Sequence, residues 1–239
     1  MLEQIQLPLL SIVPNENPVD AKRLKQLLPT SDLAVFVSPN AVECSMRLLQ
    51  AEWPKSIPIA VVGGGSLEAL SHHGITAEHG YTIYAPNNPS EWDSEGLWKV
   101  LNQAQKSWAG KNILFLKGIG GRAWLGEQFL LQGAEIHSVS TYKRVPLASD
   151  SPAWLGLKKV MPGDSICVLT SSEAARHLAQ FLKESASWAE PWLNEAMMLC
   201  THERIAQICK ELGFKNVDCC TPGDDQLLVK INQWHPNKN

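Results

Sequence analysis

The chain has 239 residues, 44% of them hydrophobic and 19% charged, with a formal net charge of −3. That balance excludes a disordered chain and lacks the Lys/Arg excess by which nucleic-acid binders neutralise phosphate. No apolar run approaches the roughly 18–20 residues that span a bilayer, and residues 1–11 carry no basic region ahead of their apolar positions, so neither membrane insertion nor secretion is expected.

Short apolar runs alternate with amphipathic segments from end to end, the pattern of parallel sheets with helices on their faces, and the fold class read from it is α/β. Gln6–Ile12, broken by Pro8, reads as an extended connector. Strands are predicted at Leu33–Val37, Ile57–Val62, Ile75–Glu78, Ile113–Lys117 and Ala134–Tyr142, then at Ser165–Thr170, Met197–Cys200 and Asn216–Cys220. Helices are predicted over Leu67–His73, Ser94–Gln105, Gly121–Gln132 and Ile205–Leu212, with another whose apolar face holds Ala175, Leu178, Phe181 and Leu182. Gly74, Gly133 and Gly213 follow three of them as C-terminal caps. Ala85–Ser90 is a surface loop, and Tyr142–Leu147 through Pro152 is a second extended connector.

In an open parallel sheet, ligands bind beyond the carboxyl ends of the strands. The segments at those positions are Ser38-Pro39-Asn40-Ala41, Gly63-Gly64-Gly65-Ser66, Gly118-Ile119-Gly120-Gly121-Arg122, Thr170-Ser171-Ser172 and Thr201-His202. All lead from a strand into a helix and offer backbone N–H groups and hydroxyls, which is anion-binding chemistry without net positive charge. Helix capping accounts for the same Ser, Thr and Asn residues, and the two roles can coexist.

Gly118-Ile119-Gly120-Gly121-Arg122-Ala123 also fits a loose dinucleotide fingerprint. It follows a late strand of its unit, and the next strand ends in Thr141-Tyr142-Lys143, with no carboxylate for a ribose, which counts against a nicotinamide or flavin cofactor. Cys44, Cys167, Cys200, Cys209, Cys219 and Cys220 form no C-x-x-C pair, and no His cluster has metal-ligand spacing. Reduced thiols are expected, with the adjacent Cys219 and Cys220 facing opposite sides of a strand end. His72 and His73 read as residues of a helix end, and His202 has no evident partner.

The ordered set Val35-Phe36-Val37-Ser38-Pro39-Asn40-Ala41-Val42, Ala60-Val61-Val62-Gly63, Leu116-Lys117-Gly118 with Gly121-Arg122, Gly133-Ala134-Glu135-Ile136 running to Tyr142-Lys143-Arg144, Leu169-Thr170-Ser171-Ser172 and Cys200-Thr201 resembles the uroporphyrinogen-III synthase family over nearly the whole chain. The resemblance implies two flavodoxin-like domains with parallel sheets joined by a two-stranded linker: a first connector at 1–12, a middle domain at 13–141, a second connector at 142–150 and a C-terminal domain at 151–239. Family members open with a further strand and helix, so the resemblance also implies that this discontinuous domain is one βα unit short, with an exposed sheet edge, through a late-assigned start or a shortened relative.

It further implies a cytoplasmic, monomeric hydro-lyase without cofactor or metal, with no nucleic-acid or membrane partner, whose small-molecule substrate is the linear tetrapyrrole hydroxymethylbilane. Tyr142 is then the catalytic acid, since phenols, with pKa about 10, stay protonated at neutral pH. Ser38, Gly63, Gly64, Lys117, Gly118, Arg122, Thr170, Ser171, Ser172 and Thr201 are the substrate-binding set, with Lys143 and Arg144 adding charge. The alternatives are an inactive relative that only binds a tetrapyrrole or other polyanion, and a Rossmann-type NAD(P)-dependent oxidoreductase.

Overall fold

The computed structural model describes residues 3–185, 187–220 and 224–234. The chain divides into two compact units, Ile12–Arg144 and, discontinuously, Met1–Ser11 with Val145–Asn239.

The larger unit is built on the strands β1 (Leu10–Pro14), β2 (Leu33–Phe36), β3 (Ile59–Val61), β4 (Ile83–Tyr84), β5 (Asn112–Gly118) and β6 (Glu135–Pro146), with β1 and β6 continuing across the boundaries between units. The sheet order is β1-β6-β5-β2-β3-β4, and β6, β5, β2, β3 and β4 run parallel. All four residues of β2 are buried, because a parallel strand is covered on both faces and so reads as a continuous apolar run. Alternate residues serve two cores. Ala34, Phe36, Ile59, Val61, Leu114 and Leu116 pack with Leu24 of α1 (Pro18–Leu27), Val42 and Leu48 of α2 (Pro39–Leu49) and Leu70 of α3 (Gly64–His72). Leu33, Val35, Ala60, Ile113 and Phe115 pack with Leu97 and Leu101 of α4 (Ser94–Ala104) and Leu125 and Phe129 of α5 (Trp124–Leu131). Phe129 is fully buried among Trp98, Trp108 and Phe115, with edge-to-face ring centroids at 5.0, 5.0 and 6.0 Å.

The chain steps outward from β2 through β3 to β4, then crosses back to lay β5 on the other side of β2 and β6 beyond it. The strand order therefore reverses between β2 and β5, and the topological switch point, where α/β proteins hold ligands, lies at their carboxyl ends.

The smaller unit has a three-stranded parallel sheet, β7 (Ile166–Leu169), β8 (Met197–Cys200) and β9 (Asn216–Cys219), in that order among the described residues. Around it lie α6 (Ser172–Glu184), α7 (Glu190–Asn194), α8 (Glu203–Leu212) and α9 (Asp224–Gln233). Its core joins Leu169, Leu178, Leu182, Trp192, Met198, Ile205 and Phe214, and Leu7 and Leu9 pack against it. Trp154 stacks on Phe181 at 3.5 Å and 6°. Strand β7 is an edge of this sheet, and its Val168 is exposed.

Several predicted elements move. The strand expected at Ile75–Glu78 does not form: Ala77–His79 is a 3-10 turn ended by Gly80 at φ 86°, with the His79 ring bonded to Gly74 O and Thr76 Oγ1, and the strand comes later, as β4. The helix expected from Gly121 begins at Trp124, because Gly120 and Gly121 both adopt left-handed φ, 77° and 90°, which no right-handed helix contains. The first extended run contributes β1 at Leu10–Pro14, and β6 carries the second as far as Pro146. Helix α1, which no apolar stripe announces, starts on Pro18 with Asn17 Oδ1 capping Val19 N at 2.9 Å. Gly74, Gly133 and Gly213 do take left-handed φ at helix ends, as expected.

Two measurements test this core. Phe129→Ala removes the ring at the centre of an aromatic cluster and is expected to cost about 3–5 kcal/mol in chemical denaturation. Asp32 ties the start of β2 to β5, its carboxylate accepting from Lys111 Nζ and Asn112 N, both at 2.8 Å. Those bonds, Lys111 first, hold its carboxyl below the ordinary 3.8. A depressed pKa gives stability that is present above the unfolded-state value and lost as pH falls through the folded one. The melting-temperature gap between the protein and its Asp32→Asn variant should therefore be widest near neutrality and close as pH drops below about 4.

Candidate active site

At the switch point the carboxyl end of β2 delivers Ser38, and that of β5 delivers Lys117 and Gly118. Ser38 caps α2: its backbone is extended at φ −167°, and its Oγ accepts from Ala41 N at 3.1 Å. The same Oγ lies 3.0 Å from the phenol oxygen of Tyr142 on β6.

The pairing of β5 with β6 explains how Tyr142 arrives there. Lys117 pairs with Ser140, and a register shift then sets Gly118 opposite Tyr142. Thr141 is the extra residue; it is fully buried, its Oγ1 donates to Lys117 O at 3.4 Å, and its own carbonyl accepts from Asn15 N at 2.8 Å. The Tyr142 ring then fills the space of a missing side chain, since a Cβ on Gly118 would lie 2.7 Å from its Cε2 and Cζ. Arg144 Nη1 donates to the phenol oxygen at 3.3 Å, and Arg144 Nη2 donates to Ile119 O at 3.5 Å. Tyr142 itself is 3% exposed.

Gly63 and Gly64 open α3 at the end of β3, and their faces are covered by Trp92, a residue the sequence reading passed over. A Cβ on Gly63 would lie 2.9 Å from Trp92 Cβ and Cγ, and one on Gly64 2.7 Å from its Cζ2. The indole Nε1 is buried without a protein hydrogen-bond partner. Three consecutive glycines beside a helix start were the available signal, since such a run leaves a surface that a large ring can fill. Arg122 turns its guanidinium onto Glu95, with Nη1 to Oε2 at 2.8 Å and Nη2 to Oε1 as the second tine, and packs 5.1 Å over the Trp124 ring. The bond to Glu95 raises its pKa further.

In the smaller unit, Ser171 caps α6 by accepting from Ala174 N at 3.1 Å, while exposed Thr170 precedes it. Ser172 Oγ is buried without a hydrogen-bond partner. Thr201 spends its N–H on Leu169 O at 3.2 Å. His202 finds its partner as the cap of α8, Nδ1 accepting from Arg204 N at 3.0 Å. All six cysteines are free. Burial pushes the thiol of Cys167 up to about 12 and that of Cys219 up to about 11. Cys200 and Cys209 lie 3.7 Å apart in the core, and their mutual contact and burial raise the Cys200 pKa, so none of these three is a ready nucleophile. Among the described residues no group of three or more His, Cys, Asp or Glu could hold a metal ion.

These features define a class of α/β protein with parallel sheets in both units, and in the larger unit a sheltered phenol near the topological switch point. Residues 2–228 match a family model described as uroporphyrinogen-III synthase HemD. The uroporphyrinogen-III synthase of Salmonella typhimurium is 30% identical over 230 residues, covering 95% of this chain and 88% of its own. That of Escherichia coli is 24% identical over 233 residues with the same coverage. The fold matches uroporphyrinogen-III synthetase from Helicobacter pylori at a TM-score of 0.62 and 14% identity, covering 95% of this chain and 92% of that one. A mutant uroporphyrinogen III synthase from Thermus thermophilus matches at 0.59 and 13%, covering 94% and 86%. The chain belongs to the uroporphyrinogen-III synthase family.

Because the Tyr142 ring occupies the Cβ position of Gly118, Gly118→Ala should push the phenol away from Ser38. The variant is expected to lose activity by at least tenfold, and to be destabilised by about 1–3 kcal/mol, the usual cost of overpacking. Activity and thermal unfolding on the same sample check both.

Proposed function

We propose that the protein converts hydroxymethylbilane to uroporphyrinogen III, as its family membership supports, and that Tyr142 supplies the proton for loss of the terminal hydroxyl. The observation that carries the site assignment is the Tyr142 phenol held 3.0 Å from the Ser38 hydroxyl at the topological switch point.

The substrate carries eight carboxylates, and the chemistry needed to hold it is donation. The helix-start N–H groups at Gly63 and Gly64, the backbone of Gly118 at the end of β5, the hydroxyls of Ser38, Thr170, Ser171, Ser172 and Thr201, and the cations Lys117 and Arg122 form the proposed binding set. Ser172 Oγ, a member of this set, is buried without a protein hydrogen-bond partner. Departure of the hydroxyl leaves an electrophilic azafulvene, which the far pyrrole attacks at its substituted carbon. The resulting spiro intermediate rearranges, so that this ring is inverted when the macrocycle closes. The protein directs this by holding the chain folded, an orientation effect.

Residues 1–12 and 142–150 serve as the connectors between domains 13–141 and 151–239. Six free thiols fit a reducing cytoplasm, and the net charge of −3 fits a protein without a nucleic-acid partner. We assign it as a monomer without a membrane partner; no helix among the described residues is long and apolar enough to cross a bilayer.

Purified protein given freshly generated hydroxymethylbilane should yield the type III uroporphyrin isomer after oxidation, and type I alone would reduce it to a binding module. Tyr142→Phe should lower turnover by about 10²-fold, the lower range for general acid catalysis, and undiminished turnover would remove the acid role.

A further inference from the structure

The phenol of Tyr142 sits on a ring that is 3% exposed, whereas Ser38, to which it bonds, is only half-buried at the carboxyl end of β2. Two of the three hydrogen bonds here have a fixed direction. A guanidinium has no acceptor, so the Tyr142 oxygen accepts from Arg144 Nη1. Ser38 Oγ accepts from Ala41 N, and its contact with the Tyr142 oxygen is compatible with either hydroxyl as donor; with Tyr142 donating, both Ser38 lone pairs are used and its own proton turns outward. In that arrangement donation runs from Arg144 to Tyr142 to Ser38 and on to whatever faces Ser38. The guanidinium carbon also lies 5.7 Å from the Tyr142 ring centroid, so its charge is close to both the oxygen and the π face.

We propose that Ser38 is the catalytic group that touches the departing hydroxyl, relaying a proton from the buried Tyr142, with Arg144 as the positioning residue that stabilises the phenolate. This rests on the activity proposed above and assigns the route of its proton. The C–O bond of the hydroxymethyl group breaks, its electron pair leaves with oxygen, and that oxygen takes the Ser38 proton and departs as water. Ser38 Oγ takes the Tyr142 proton, leaving a phenolate beside the Arg144 guanidinium. When the closing pyrrole ring loses its proton and regains aromaticity, that proton returns through Ser38 to the phenolate, so no external acid or base is consumed.

The test is a set of variants compared with the active wild type. Glycine is tolerated at helix N-caps, and asparagine caps as well as serine, so Ser38→Gly and Ser38→Asn keep α2 while removing the hydroxyl. Both should lower kcat by about 10²-fold, like Tyr142→Phe, with KM little changed, and Ser38→Thr should restore most of the rate. The Ser38→Gly, Tyr142→Phe double variant should be no slower than either single one, because one relay is already broken. Arg144→Gln should lower kcat about tenfold in the wild type, the worth of one charge-assisted bond, and change nothing in the Tyr142→Phe background. A merely structural Arg144 would slow both backgrounds alike, and that result removes its role. Folded Ser38→Gly and Ser38→Asn proteins that keep full turnover while Tyr142→Phe is slow would show the phenol acting directly, which overturns the relay. Multiplying losses in the double variant would overturn it too. Full turnover by Tyr142→Phe would remove both the relay and the acid role, whereas failure of the wild type to form the type III isomer strikes at the activity itself.

Discussion

The ring of Tyr142 lies where a side chain on residue 118 would be, and the geometry of the site follows from that close approach. A strand alternates its faces residue by residue, so pairing Gly118 with Thr141 would have turned Tyr142 to the opposite side. The register shift after Lys117 absorbs Thr141 as an extra residue and brings the tyrosine round instead. Thr141 is fully buried with its hydroxyl bonded to Lys117 O and its carbonyl accepting from Asn15 N, so both of these oxygens are paired at the irregularity.

The strand-end loops turn out to be capped. Ser38, Ser171 and His202 all spend a side-chain acceptor on the first turn of their helices, which fixes the loops without using the hydroxyl protons of the two serines. Arg122, the guanidinium that composition alone would nominate for an acidic ligand, is forked onto Glu95. Rigid neutral donors suit a substrate whose many acidic arms must be sorted by position, because a hydrogen bond is directional where a diffuse positive field is not.

Much of the architecture could be read from residues because the physics that builds it is local. Strands β2 and β8 are unbroken apolar runs and β5 holds one over Ile113–Leu116, as doubly covered parallel strands do, and glycine marks the ends of α3, α5 and α8. Helix α1 was illegible because Leu24 is its one fully buried residue, leaving no stripe to count. Two-residue β4 is too short for any period. For the proposed site, the rule of carboxyl ends nominated Ser38, Gly118 and the glycine loop, and the family resemblance nominated Tyr142. What no pattern could supply was the bond joining Ser38 to Tyr142, because those residues stand 104 positions apart and meet only through a one-residue slip between neighbouring strands. Trp92 escaped for a similar reason: its significance lies in the absence of side chains on Gly63 and Gly64, nearly thirty positions earlier.

That last contact ties three positions into one inherited unit. A side chain arising at 63 or 64 would collide with the indole, and shrinking the indole would open a hollow against bare backbone. In lineages descended from this sequence, residues 63, 64 and 92 should therefore drift together or not at all, with exchange at the glycines following loss of the tryptophan, never preceding it.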